Sequence, residues 1–216
     1  MKIRWGVAAF VPLLTLSSCA PWTVRPIDSN KSSGAAQTPS PAAYVDSIWS
    51  TKLVPLVLNS AVDTRTLLDA YLKSPQDAVA RYGHREGKGP VYFLVKGEGR
   101  VTAVDTRSRV GLVLVDLPPF DQKPDISILV GPVLRGTALR DSTGLIRFTD
   151  FANQLQFADA GNAINDRVLR SVLASVDVGK LKGKRISFAG AVTADPHAMP
   201  PLRELMPVRL DVEDGK

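Results

Sequence analysis

The run "VYFLVKGEGRVTAVDT", Val91 to Thr106, constrains the fold of this chain more than any other stretch. It has the composition of a β-strand but is far longer than the usual strand of roughly 5–6 residues. Gly97 and Gly99 fall in its middle, where isolated glycines mark a bulge or a sharp bend. "SRVGLVLVDL" returns beside it through the polar turn "DTRSR", and "DISILV" supplies a third strand that stops at Gly131-Pro132. Ile164, Val168, Leu169, Val172, Leu173 and Val176 then recur at helical spacing. "GKRISFAGAV" and "MPVRLDVED" are the last two strands.

Upstream, "YVDSIWSTKLVPLVLNSAV" is apolar and predicts a helix before Pro55. Asp63 is placed to cap "TRTLLDAYLK", Ser74-Pro75 starts a further helix, and Gly83 stops it. "REGKGP" reads as a loop. Three strands, a helix and two more strands, with glycines bending a long first strand, follow the order of an OB-type barrel. The sequence therefore predicts an α+β fold: an OB-like antiparallel β-barrel, with an N-terminal helical layer and a helix inserted between strands 3 and 4. The alternative is an open antiparallel sheet with the helices packed on one face.

The N-terminus supplies an address. Lys2 and Arg4 precede the short apolar run "WGVAAFVPLLTL", which is too brief for the ~20 residues of a membrane span, and Leu16-Ser17-Ser18-Cys19 follows. This is the pattern of a secretory signal ending in a lipobox, with the only cysteine of the chain at the acylated position. The other reading is an ordinary cleaved signal followed by a chance cysteine. Under the lipobox reading, residues 1–18 are the signal peptide and Cys19 carries the lipid. Residues 19–41, rich in Ser, Pro and Ala, form a flexible linker, and 42–216 make one domain. Ala20 rather than Asp follows the cysteine, which points to the outer membrane where a cell has two. One acyl chain holds a protein marginally, whereas two or more hold it firmly.

The formal charge is +6. Loss of residues 1–18 removes Lys2 and Arg4 and no acid, leaving 25 basic against 21 acidic residues, or +4. So mild an excess does not point to nucleic acid. The two histidines, His84 and His197, sit in unrelated loops, so neither a metal site nor a cofactor is expected. "GPVLRGTA" has the glycine spacing of a P-loop but no lysine between its second glycine and Thr137, and it is excluded as one. No Gly-x-Ser-x-Gly occurs. A carboxylate pair drawn from Asp105, Asp116, Asp125 and Asp141 would serve a hydrolase, although aspartates at strand ends are usually turn formers. On this reading the protein is not an enzyme.

"GPVLRGTALRD" is the stretch richest in recognition chemistry. Arg135 and Arg140 bracket Gly136-Thr137, Asp141 follows, and Arg107 and Arg109 lie in an earlier turn. Arginine forks suit carboxylates, phosphates and vicinal hydroxyls, so one reading is a site for a small polar solute or a partner. The other is internal: Arg135 or Arg140 paired with Asp105, Asp116 or Asp141, pinning the loop to the barrel. "GKLKGKR" gathers Lys180, Lys182, Lys184 and Arg185 before a strand, either to touch anionic headgroups or as a solvated turn.

"VKGEGRVTAVDTRSRVGLVLVDL", "GPVLRGTALRD", "GKRISFAGA", "IWSTKLVP" and "LLDAY" together resemble the predicted periplasmic lipoprotein family known as domain of unknown function 2291. The family has no assigned activity, so the resemblance carries over no catalytic residue. It implies a periplasmic lipoprotein held to the membrane through lipid on Cys19. Its members often stand beside sugar-type ABC importers, which implies a non-catalytic accessory role with an ABC transporter component or a solute as partner. A structural envelope lipoprotein that scaffolds protein partners is the alternative.

Overall fold

The computed structural model describes residues 39–85, 88–195 and 202–213. The signal peptide, Cys19, nearly all of the linker and His197 lie outside these residues. Four helices open the domain: α1 (Pro41–Ile48), α2 (Val54–Ser60), α3 (Thr64–Lys73) and α4 (Pro75–Tyr82). Asp63 accepts from the Thr66 N–H at 2.9 Å to cap α3, and Ser74 caps α4 through the Asp77 N–H. The helix expected to stop before Pro55 continues through it. A π-helical turn, Trp49–Leu53, joins α1 to α2, the backbone stays helical through Leu53 and Val54, and Pro55 follows directly after this wider turn.

Among the described residues seven strands form one sheet. They are β1 (Val62–Asp63), β2 (Gly83–His84), β3 (Tyr92–Asp105), β4 (Leu112–Asp116), β5 (Ile126–Leu129), β6 (Arg185–Ala194) and β7 (Leu202–Glu213). His84, read from sequence as a loop residue, pairs with Tyr92. Helices α5 (Ala138–Ser142) and α6 (Gln154–Val168) stand between β5 and β6. The first half of β3 pairs with β6 and its second half with β4. β4 pairs with β5, β5 with β7, and β7 with β6, so the pairings run in a closed circuit of five strands. The open-sheet alternative does not describe this circuit.

The sheet is mixed rather than antiparallel. Five is an odd number, so strands that alternate in direction around a closed circuit must meet once in parallel. That meeting is β5 with β7, at Ile128↔Leu205, and the short β1 also runs parallel to β3. The glycines of β3 act differently from expectation. The strand is continuous from Tyr92 to Asp105, and its irregularity lies between Val101 and Ala103. At Gly99 a Cβ would collide with the Val115 side chain and come within 2.7 Å of the Asp116 carbonyl. The residue is small because its ladder neighbour β4 approaches closely at this point. Phe93, Val95, Val115, Ile126, Ile128, Ile186, Phe188 and Leu205 are buried within one apolar cluster, each such side chain contributing about 1.5–3 kcal/mol. Tyr71 of α3 meets Phe93 edge to face at 6.0 Å, and α1 packs along α6.

Candidate functional site

Between β5 and α5 the chain runs through Gly131–Thr137. The Gly131 N–H donates to the Val110 carbonyl at 2.7 Å and the Val133 N–H to that of Arg109 at 3.1 Å, stitching the segment to the β3–β4 turn. Gly136 turns the chain at φ +87°, and its carbonyl accepts from the Asn165 side chain of α6 at 3.2 Å.

Beyond that turn Thr137, Arg140 and Asp141 come together. Asp141 Oδ2 accepts from the Thr137 hydroxyl at 2.5 Å, the Tyr92 hydroxyl at 3.2 Å and Arg140 Nη2 at 3.2 Å. Its Oδ1 accepts from Arg140 Nε at 2.7 Å. Arg140 spends a third nitrogen on the Phe157 carbonyl at 3.1 Å and lies over that ring. The Arg140 and Asp141 side chains are only 12% and 14% exposed. Burial pushes the Tyr92 phenol up, the Thr137 hydroxyl opposes this, and the Asp141 charge adds to it. The carboxylate takes four hydrogen bonds and three of the five guanidinium donors are spent, which is the internal pairing expected of a loop pin.

Arg135 turns the other way. It forms a two-point contact with Glu204, through Nε at 3.1 Å and through Nη2, and stays 59% exposed. Its hydrogen bond and attraction to Glu204 push the guanidinium still higher. Glu204 holds a left-handed backbone, φ +58°, uncommon for a residue with a side chain, and its N–H donates to the Ser127 hydroxyl at 3.0 Å. An open recess of about 390 Å³, bounded by Arg135, Gly136, Thr193, Asp195 and Glu204, lies beside the β5–β7 seam. Glu204 was not legible as a partner, since 69 positions separate it from Arg135.

Arg107 and Arg109 stand elsewhere. Arg107 folds onto Asp105 at 2.7 Å and holds that carboxyl down to about 2. Both arginines border a second recess, with Gly131, Pro132 and Val178. The six candidate residues thus divide among three surfaces. The ladder also separates the aspartates: Asp116 is opposite Arg100, while Asp105 is opposite Leu112. Asp125 accepts from the Leu117 N–H and from Arg65. Among the described residues no cluster of three or more His, Cys, Asp or Glu is placed to hold a metal ion, and no helix is long and apolar enough to cross a membrane.

No curated protein matches the chain. In architecture it is similar to the crystal structure of an OB-fold protein from Thermotoga maritima. That likeness has a TM-score of 0.66 at 18% identity, over 80% of this chain and 98% of the other. It extends to the fold alone. The family profile described as "predicted periplasmic lipoprotein", domain of unknown function 2291, matches residues 9–211, and the chain belongs to that family.

Proposed function

We propose that this protein is a non-catalytic accessory lipoprotein of the cell envelope, tethered through lipid on Cys19, whose OB-like barrel binds a small polar solute at Arg135. The observation that carries the reading is the contrast between the two arginines of one loop. Arg140 is largely buried with three of its five donors committed, whereas Arg135 is exposed in a recess and paired with Glu204. An exposed ion pair contributes about 0–1 kcal/mol, so a solute carboxylate, phosphate or pair of hydroxyls can take the place of Glu204 at little cost. The strained backbone of Glu204 supports the same reading, because such conformations concentrate at binding sites. The family resemblance extends it to a supporting role beside a sugar-type ABC importer, with the tether in the outer membrane because Ala20 follows Cys19.

A thermal-shift screen of the full-length protein in detergent against sugars, sugar acids, polyols and sugar phosphates tests the site. A ligand at a hundred times its Kd raises the midpoint by roughly 5–10 °C in a domain of this size. A hit that disappears in Arg135→Ala supports the reading; a silent panel sinks it. The scaffold reading has one observation in its favour: Phe148 and Leu155 are 50% and 70% exposed. Phe148→Ser and Leu155→Ser variants that lose a co-purifying envelope protein would favour the scaffold instead.

A further inference from the structure

On another part of the barrel, β3 and β6 place two arginines directly opposite each other, Arg100↔Arg185. Like charges at paired positions of an antiparallel ladder destabilise it. Both guanidinium groups also stand over the same ring, each 5.7 Å from the centroid of Phe120. Among the described residues neither arginine side chain makes a hydrogen bond or an ion pair. None of the acids nearby is hydrogen-bonded or ion-paired to either one. Asp116, opposite Arg100, is 2% exposed; its Oδ2 accepts from the Gln122 N–H at 2.8 Å, and its buried Oδ1 bonds to neither arginine. Asp121 accepts from the Lys123 N–H at 2.9 Å. Glu213, opposite Arg185, forms no ion pair with it.

The loop carrying Phe120 is shaped to hold the ring there. Phe120 itself is left-handed, φ +55°, a genuine outlier for so bulky a residue, and Gln122 follows at φ +68°. The Phe120 N–H donates to the Leu117 carbonyl at 3.0 Å, and the buried Asp116 fixes Gln122. Backbone strain is therefore spent to set an aromatic face under two cations that no ion pair holds. A ring engages the face of a guanidinium and leaves its in-plane N–H donors unspent. Lys182 and Lys184, also exposed, enter the same edge, where the Val101 N–H donates to the Lys184 carbonyl at 2.9 Å.

We propose that Arg100 and Arg185, seated on Phe120, form an anion clamp for a phosphate group, with Lys182 and Lys184 enlarging its positive field. A phosphate supplies the negative charge that the opposed arginines lack and accepts from both forks at once. The clamp gives the basic run "GKLKGKR" a role beyond that of a solvated turn. It is separate from the Arg135 recess and does not rest on the solute reading.

The test is a thermal-shift titration of the full-length protein in detergent with two probes, inorganic phosphate and dihexanoylphosphatidylglycerol, each against chloride at equal ionic strength. Wild type should show a saturable rise of roughly 5–10 °C at a hundred times Kd. Arg100→Gln and Arg185→Gln should each abolish it, Arg100→Lys should keep part of it, and Arg135→Ala should leave it intact. Without ligand, Arg185→Gln should melt no lower than wild type, because it removes a like-charge contact; a purely structural arginine would melt lower. A rise with both probes identifies a free phosphate group as the ligand, and a rise with the lipid alone identifies a headgroup. No saturable rise with either probe, or an undiminished rise in the Arg100→Gln/Arg185→Gln double variant, overturns the clamp.

Discussion

The guanidinium carbon of Arg140 lies 3.8 Å from the ring centroid of Phe157, and the same side chain donates to the Phe157 carbonyl at 3.1 Å. Together with the Asn165 bond to the Gly136 carbonyl, this contact fixes the segment after β5 to α6, while Asp141 holds the arginine's other edge. One turn further along the helix, a Cβ at Gly161 would lie 3.4 Å from both Arg140 Nη1 and the Thr137 methyl, so the helix packs closely against this pair.

Asp141→Ala should therefore destabilise the fold by about 2–4 kcal/mol, since it leaves a largely buried guanidinium without its counter-charge. Urea denaturation of the variant beside wild type reads this directly. A change below about 0.5 kcal/mol would show that the network does not pin the loop.

Arg135→Ala should behave differently, although the two arginines are five positions apart. Its ion pair with Glu204 is more than half exposed on the arginine side, so the loss in stability should stay within about 1 kcal/mol. A loss as large as that of Asp141→Ala would make Arg135 a structural residue and remove the exchangeable pair from which solute binding is argued.

Gly99→Ala should cost about 1–3 kcal/mol by overpacking, because the added methyl meets the Val115 side chain and a main-chain carbonyl, which cannot rotate away. Gly97→Ala should cost less. There the nearest atoms are Phe188 Cζ at 3.1 Å and the Thr64 hydroxyl at 3.3 Å, both at the ends of side chains. Equal melting points for the two variants would contradict the close approach of β4 to Gly99.

Local signals in the sequence translated well where the physics is local. Asp63 and Ser74 cap the helices they precede because a side-chain oxygen satisfies the same N–H groups in any context. The strand order was legible because each strand carries its own apolar pattern. What could not be read depends on contacts between distant segments. The parallel seam of β5 and β7 follows from closing five strands, a property of the circuit rather than of either strand. Glu204 becomes the partner of Arg135 only once that seam forms. Pro55 misled because a π-turn directly before it lets the helix run on through the proline. Sequence brought Arg107 and Arg109 into the same group as Arg135, whereas the β3–β4 turn carries them to another surface.

The alkaline limb of stability should carry the signature of Tyr92. Burial, first, and the charge of Asp141 raise its phenol above the ordinary value of 10.0. A group whose folded pKa is raised contributes stability that is complete below the unfolded value and is lost as pH rises through the folded one. Wild type should therefore exceed Tyr92→Phe by about 0.5–1.5 kcal/mol near neutrality, the worth of the hydrogen bond to Asp141. The gap should narrow once pH passes about 10. Tyr44, whose phenol burial also raises, slopes the same way in both proteins and cancels from the comparison. A gap that stays constant to about pH 11 would mean that the Tyr92 phenol is not held protonated by its surroundings.

Cys19→Ala should move the protein from the membrane to the soluble fraction of fractionated cells. Two or more acyl chains on one cysteine make a lasting tether, and no helix among the described residues offers a span in its place. The release should be complete in high salt. In low salt a fraction should remain on vesicles rich in phosphatidylglycerol if the Arg100–Arg185 clamp engages headgroups, since attraction between surface charges fades as the Debye length shortens from about 10 Å at 0.1 M to about 3 Å at 1 M. Retention that withstands 1 M salt would count against Cys19 as the anchor. Prompt release at every ionic strength would leave the tether intact as an explanation and confine the clamp to free phosphate.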